Sequence, residues 1–428
     1  MRTYPILLSA LLLACGSSDD EGAPSAPAPT VTVPPGVPLP ECPDEDYRVC
    51  DVREPDCQRR FASLAACIRG SEPLGDLPID LLTEAEYSEK LRQDSADTPE
   101  PAFNHYERAL EFLKLEPTGS TTRSEEIDDF VKSVLGVYLD DEKRIIIVDH
   151  DKPADTAYID ATLVHELVHA LQDADYDLAH WPDEPAVTFD SRLVRRSVVE
   201  GEASFLEYRA IVPLLGLDVA EVDFESAMRE HLSFIEGKLA ESTAPYRDSY
   251  STFPYGYGAS RAFRAFQDGG ARGLDAAWAS PPGTTQQILA EHLGLNTPQA
   301  SGSEIPEPVV EGLTLVTRDV LGAWGLRLFL AARAQADATE RALSWRGDGL
   351  WVFTDAVAEG EIAPNSPKTY LLWQLELDSE EEARALALTG LSQCQGAASG
   401  TRAMVSCDNT SSQAGRDLYD WGKSWLLE

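Results

Sequence analysis

The stretch that decides the reading is Asp160-Ala161-Thr162-Leu163-Val164-His165-Glu166-Leu167-Val168-His169-Ala170-Leu171-Gln172. Its centre is H-E-x-x-H, set in an amphipathic helical pattern. A spacing of four puts His165 and His169 on one helix face, one turn apart, where two imidazoles can share one metal ion. Glu166 is rotated by about 100° from His165. It can reach a water activated by that ion without being a ligand itself, which is where a general base is needed. Leu163, Leu167 and Leu171 beside the histidines predict that this helix is buried. Core packing alone rarely takes two His and a Glu.

A catalytic zinc takes three protein ligands and keeps one position open. No third His follows in the H-E-x-x-H-x-x-G-x-x-H register, since His180 is out of phase. The third ligand is therefore sought among downstream carboxylates. Arg192 to Val212 has a helical pattern in which Leu193, Arg196, Glu200, Ala203 and Glu207 share a face. Within it, Val199-Glu200-Gly201-Glu202-Ala203 offers two candidates. Gly201 costs about 1 kcal/mol in a helix interior, and close packing against the metal helix would explain it.

Working outward, Val137-Tyr138-Leu139 and Ile145-Ile146-Ile147-Val148 flank a charged turn and read as a β-hairpin with an internal second strand. Thr83-Glu84-Ala85-Glu86 has capping-box spacing and opens a helix. Residues 101–115 show helical periodicity, and helices dominate from about 155 to 295. Residues 296–308 read as a linker. Residues 309–428 mix a helix (Val320 to Ala334) with strands (Leu350 to Phe353, Thr369 to Leu375) and read as a second α+β unit. The expected fold class is α+β: a mostly helical domain over 76–295 with a small sheet, followed by that unit.

The N-terminus reads as an export signal over residues 1–14. A basic start, Met1-Arg2-Thr3, precedes a short apolar stretch ending in Leu12-Leu13-Ala14-Cys15. That ending resembles the bacterial lipoprotein signal, which implies cleavage before Cys15 and lipidation of its thiol. Gly16 to Pro40 holds seven Pro in 25 residues and reads as an unfolded tether, up to ~75 Å long at ~3.1 Å per residue. Six Cys remain after Cys15, an even number suited to an oxidising compartment. Cys42, Cys50, Cys57 and Cys67 fall in a helical module over 41–75, with three connectivities open, and Cys394 is expected to pair with Cys407. Gly16 after the lipidated Cys favours the outer membrane under the usual Gram-negative sorting pattern.

Composition narrows the partners. Asp plus Glu number 73 against 35 Lys plus Arg, a formal net charge of −38. That balance excludes nucleic acid as a partner and leaves the N-terminal lipid as the attachment to the membrane. No apolar run after the first 15 residues is long enough to span a bilayer. The chain carries no G-x-S-x-G elbow, Walker A loop or G-x-G-x-x-G.

The segment His165 to Asp173, followed by Glu200-Gly201-Glu202-Ala203, resembles the gluzincin branch of the zincin-like metallopeptidases. The likeness is closest to exported bacterial proteins with an H-E-L-x-H-A-L-Q-D helix and a later E-G-x-A helix. It covers about 130–295 well, with Phe253 to Gly258 and Pro281 to Thr285 included. It is weaker over 309–428, where Trp345-Arg346-Gly347-Asp348 fits best, and it does not cover 41–70. The resemblance implies Zn2+ held by His165, His169 and Glu200, with Glu166 as base and a peptide or protein as substrate. It departs at Ala174-Asp175, where the group tends to have a Gln-His pair.

The oxyanion formed in peptide hydrolysis needs a donor. Tyr255 and Tyr257 are the candidates, as residues of a Gly-rich turn outside the metal helices. Asp173 reads first as helix-end polarity and second as an orienter of a ligand imidazole. His231 is expected to be solvated on a charged helix, and His105, His150, His180 and His292 at the surface. Two other readings share the zinc site: a non-catalytic zinc-binding surface lipoprotein, and an amidase acting on cell-wall peptides.

Overall fold

The computed structural model describes residues 42–96, 104–119, 123–150, 156–181, 188–296, 305–335, 337–355, 368–388 and 390–427. The export signal, Cys15, the tether and most of the 296–308 linker lie outside them. The fold is α+β, with two sheets set among fifteen α-helices over the described residues.

Helix α1 (Pro55–Arg69) begins with Pro at its first turn and ends at Gly70, whose φ of 81° lets its N–H reach back to Ala66 and Cys67 carbonyls. Of the open connectivities, the structure adopts Cys42–Cys67 and Cys50–Cys57. Its apolar face, Phe61, Leu64 and Ile68 at helical spacing, is fully buried.

Next come β1 (Ile79–Thr83), α2 (Glu84–Asp94), α3 (His105–Phe112), α4 (Arg123–Ser133), β2 (Gly136–Leu139) and β3 (Arg144–Asp149). The expected capping box at Thr83 and Glu86 is formed in both directions. The three strands make one sheet in the order β1-β3-β2, with β1 parallel and β2 antiparallel to β3. β3 is central, which explains its unbroken apolar run. Ile145 and Ile147 pack with the metal helix, while Ile146 and Val148 pack with Tyr87 and Val131 on the other face.

The helical body follows: α5 (Thr156–Tyr176), α6 (Phe189–Leu214), α7 (Phe224–Glu241), α8 (Pro245–Phe253), α9 (Ala259–Gly269), α10 (Ala271–Ala279) and α11 (Thr285–His292). α5 carries H-E-x-x-H and packs on α1, α6 and β3 through Leu163, Val164 and Leu167. The Gly-rich turn expected at 253–258 is instead one π-helical turn, Pro254–Gly258, between α8 and α9. Gly201 is explained there too. A Cβ on Gly201 would lie 2.4 Å from the carbonyl carbon of Gly258, and one on Gly258 would lie 2.4 Å from the Ser197 oxygen. The close approach is therefore to the π turn, and not to the metal helix as the sequence suggested.

The C-terminal part contains β4 (Leu313–Asp319), α12 (Gly322–Ala331), α13 (Ala338–Ala342), β5 (Trp345–Asp355), β6 (Tyr370–Leu377), α14 (Glu380–Ala387), β7 (Cys394–Ser399), β8 (Arg402–Asp408) and α15 (Gln413–Trp425). Its strands form an antiparallel sheet in the order β4-β5-β6-β8-β7. Cys394 and Cys407 face each other across β7 and β8 and are bonded. The largest buried cluster joins Leu110, Leu193 and Phe253 to Trp324, Phe329 and Trp373, so one core runs from the helical body into this sheet. Among the described residues, no helix is long and apolar enough to cross a membrane.

Candidate metal centre

Helices α5 and α6 bring three donor atoms together. His165 Nε2 and His169 Nε2 are 3.1 Å apart. Glu200 Oε2 lies 3.4 Å from the first and 3.3 Å from the second. Two ligand atoms at ~2.0–2.1 Å from one tetrahedral ion are separated by about 3.3 Å, so the spacing suits a shared metal. Among the described residues, this is the one group of three or more His, Cys, Asp or Glu side chains that could hold an ion.

A second observation points the same way. Glu200 Oε2 is buried and accepts no hydrogen bond. A buried acceptor left in that state costs about 1–3 kcal/mol, and more when charged. A cation between the two imidazoles would satisfy it. The other carboxylate oxygen takes a hydrogen bond from Arg196 at 3.1 Å. Burial pushes the Glu200 carboxyl up, but Arg196 and the two histidines outweigh it and hold it well below the usual range.

The outer ring nitrogens are also engaged. His165 Nδ1 lies 3.0 Å from the Glu207 carboxylate, and His169 Nδ1 lies 2.8 Å from Gln172 Oε1. Both partners are acceptors, so each Nδ1 is placed to donate, and in the neutral ring that leaves Nε2 as the atom with a lone pair for a metal. The sequence placed Glu207 on the face of Glu200 without giving it this task. Gln172, at the end of the same stretch, carries no local sign of this role. Asp173, the residue considered for the task, touches neither imidazole. It accepts from the Tyr138 hydroxyl, Lys143 and the Leu178 amide.

Glu166 is buried and rests against β2. A Cβ on Gly136 would come within 3.0 Å of its Cγ and 3.2 Å of its Oε1. Burial raises the Glu166 carboxyl above its ordinary value, with both histidines pulling the other way. His165 and Glu166 line a cavity of about 960 Å³, together with Arg196, Glu207 and Tyr255. β2 reaches this wall through Gly136 and has a sheet neighbour on one side only.

The two tyrosine candidates separate. The Tyr255 ring stacks on His165, nearly parallel at 7° with centroids 6.2 Å apart. Tyr257 turns into the core, edge-on to Trp324 and His292, and donates its hydroxyl proton to Glu236. Glu202, the other carboxylate of the E-G-E stretch, sits in a saturated site. It accepts from Arg69 at 3.1 Å, Gln172 at 3.0 Å and Trp278 at 2.7 Å.

Two histidine expectations are corrected. His231 is 4% exposed, not solvated. It contacts the Tyr208 hydroxyl at 2.8 Å and donates through Nε2 to the Tyr255 carbonyl at 3.0 Å. Burial lowers it to about 4, so it stands neutral. His105 is likewise buried, against Thr369. The charged residues around His231 in sequence lie on the outer side of α7, and the helix turns the imidazole inward. His180 is exposed as expected and pairs with Asp177. His150, beside Glu84, and His292 are partly buried.

Compared with known protein families, curated proteins and solved structures, the chain matches none. The centre is therefore read from its own chemistry.

Proposed function

We propose that the chain is a zinc-dependent peptidase of the zincin kind, exported and held at the bacterial envelope, at the outer membrane, by a lipid on Cys15. The observation that carries the reading is the buried Glu200 oxygen without a hydrogen bond, held within 3.4 Å of the Nε2 atoms of two imidazoles. Two nitrogens and one carboxylate oxygen at tetrahedral spacing suit zinc. Bound there, zinc supplies a Lewis acid and a water acidic enough to attack near neutral pH.

The chain's own residues supply the rest. Glu166 takes the proton of the attacking water and delivers it to the departing amine. Its burial beside the histidines favours that exchange, because a raised carboxyl holds a proton longer in the step. Tyr255 is the donor to the developing oxyanion, from the cavity wall next to His165. The free edge of β2 takes an extended peptide as an added strand. The acidic surface disfavours polyanionic substrates.

The test is cleavage of a mixed peptide library and of cell-wall peptides by the zinc-loaded full chain and by Glu166→Gln. Cleavage that falls by about 10²–10⁴ in the variant, with zinc retained, supports the reading. Cleavage of cell-wall peptides alone would make the amidase the better description. Zinc binding with no cleavage of either set would leave the non-catalytic surface lipoprotein.

A further inference from the structure

The cysteine-stapled module at 41–75 is tied to the metal centre by a buried chain of side chains. Arg69, the last residue of α1, is 5% exposed. Its Nε donates to Glu202 Oε1 at 3.1 Å. Glu202 Oε2 accepts from Gln172 Nε2 at 3.0 Å and from Trp278 Nε1 at 2.7 Å. Gln172 Nε2 also donates to the Val199 carbonyl at 2.9 Å, and Gln172 Oε1 faces His169 Nδ1 at 2.8 Å.

The orientation of the Gln172 amide follows from these partners. Its nitrogen lies between two acceptors, a carboxylate and a carbonyl, so its oxygen is the atom left for His169. An amide turned the other way would place its oxygen against both acceptors and its N–H₂ against the ring. The ring would then have to accept at Nδ1 and carry its proton on Nε2, where a metal ligand needs a lone pair.

Arg69 holds Glu202 in place: with Oε1 on the Arg69 Nε, Oε2 stays turned toward Gln172 and Trp278. The module is fixed at both ends of this link. Cys42–Cys67 ties the last turn of α1 to the start of the module. The Cys50 amide donates to Asp160 of the metal helix at 3.1 Å, and Arg209 of α6 donates to the Ile68 carbonyl at 3.3 Å.

From this geometry we infer that Arg69, Glu202 and Gln172 are positioning residues that set the His169 tautomer for metal binding, and that the disulfide-stapled module is the part that delivers Arg69. The inference rests on the metal reading of His169, but its first readout needs no metal.

The experiment follows ring ¹⁵N resonances of His165 and His169 in the metal-free full chain, then zinc affinity by chelator competition. Wild type, Gln172→Met and the charge-balanced double variant Arg69→Met/Glu202→Leu are compared. In wild type, His169 carries its proton on Nδ1. In both variants His169 moves toward the other tautomer, while His165, held by Glu207, does not. Zinc affinity falls by about 10–100-fold in Gln172→Met and by about tenfold in the double variant. Wild-type His169 protonated on Nε2, or variants with His169 and zinc affinity unchanged, would overturn the inference. Wild type that shows the Nδ1 tautomer but takes up no zinc would refute the metal reading and leave the relay standing. A general loss of structure would move both histidines together, so the His165 signal separates that outcome from the one expected.

Discussion

Helix α6 carries a buried polar cluster at each of two places, and they are built on opposite rules. Near its start, Asp190, Asp319 and Asp348 converge on the turn before α12. Asp348 accepts four hydrogen bonds, from the Leu321 and Gly322 amides and from the Trp345 and Trp373 indoles, all at 2.8–3.0 Å. Asp319 accepts from the Phe189 and Val320 amides and from Tyr106. Asp190 accepts from the amide and hydroxyl of Thr285. Three turns along the helix, Glu200 keeps one oxygen buried without a hydrogen bond, beside the Nε2 atoms of His165 and His169. A carboxylate whose donors are all supplied by the chain is there to hold the fold. A carboxylate left short of a hydrogen bond, in front of two imidazoles, is where the proposed metal would complete the set. The same contrast separates Glu200 from Glu202 only two residues away.

Substitution at the two clusters should therefore have opposite signatures. The largest effect is expected from Glu200→Ala, which removes one of three ligands: zinc affinity by chelator competition falls on the order of 10³-fold or more, with a melting temperature of the metal-free chain close to wild type. Asp348→Ala should do the reverse. It leaves four buried N–H groups unsatisfied, costs roughly 3–5 kcal/mol in the denaturant midpoint, and leaves the zinc affinity of the folded chain within about twofold. A variant that showed the other signature would break the comparison.

The most gradual effect, spread over several pH units, is a pH dependence. Burial moves Asp190 from its ordinary 3.8 to about 7, with Thr285 pulling down and Asp348 and Asp319 pushing up. Between those values the folded chain holds a proton that the unfolded chain has released. The contribution of this group is therefore fully present below about pH 4 and is lost as pH rises through about 7, at up to about 1.4 kcal/mol per unit. Unfolding free energy measured from pH 4 to 8 should carry that slope, and Asp190→Asn should flatten it. An unchanged slope in the variant would show that Asp190 is ionised throughout.

What could be read beforehand follows the same division. Helical spacing exposed His165, His169 and Glu166, because a metal site on one helix is written in i and i+4. The Glu200 face of α6 was legible for the same reason. Partners that arrive from other elements were not. Nothing local marks Gln172 as the neighbour of His169, or Glu202 as the partner of Arg69, since these meet only when α1, α5 and α6 pack. The Tyr255-Gly256-Tyr257-Gly258 stretch looked like a turn because two glycines usually break a helix. Here Gly258 lies so close to the Ser197 backbone of α6 that a side chain would collide, Gly256 packs tightly on Leu232 and Ile235 of α7, and the helix continues through a π turn. β1 carries no local signal, because four of its five residues are half-buried, Thr83 is exposed, and the strand leads straight into a capping box. The helix of His231 looked solvated because its charges are local in sequence, while the contact of its imidazole with Tyr208 is not.

The most direct test of the central claim is the metal content of the purified full chain, counted by elemental analysis after zinc is supplied and excess removed, beside Glu200→Ala. The account predicts about one zinc per wild-type chain and almost none in the variant. A folded wild-type chain that holds no zinc would contradict it and return His165, His169 and Glu200 to the core as a polar cluster without a ligand.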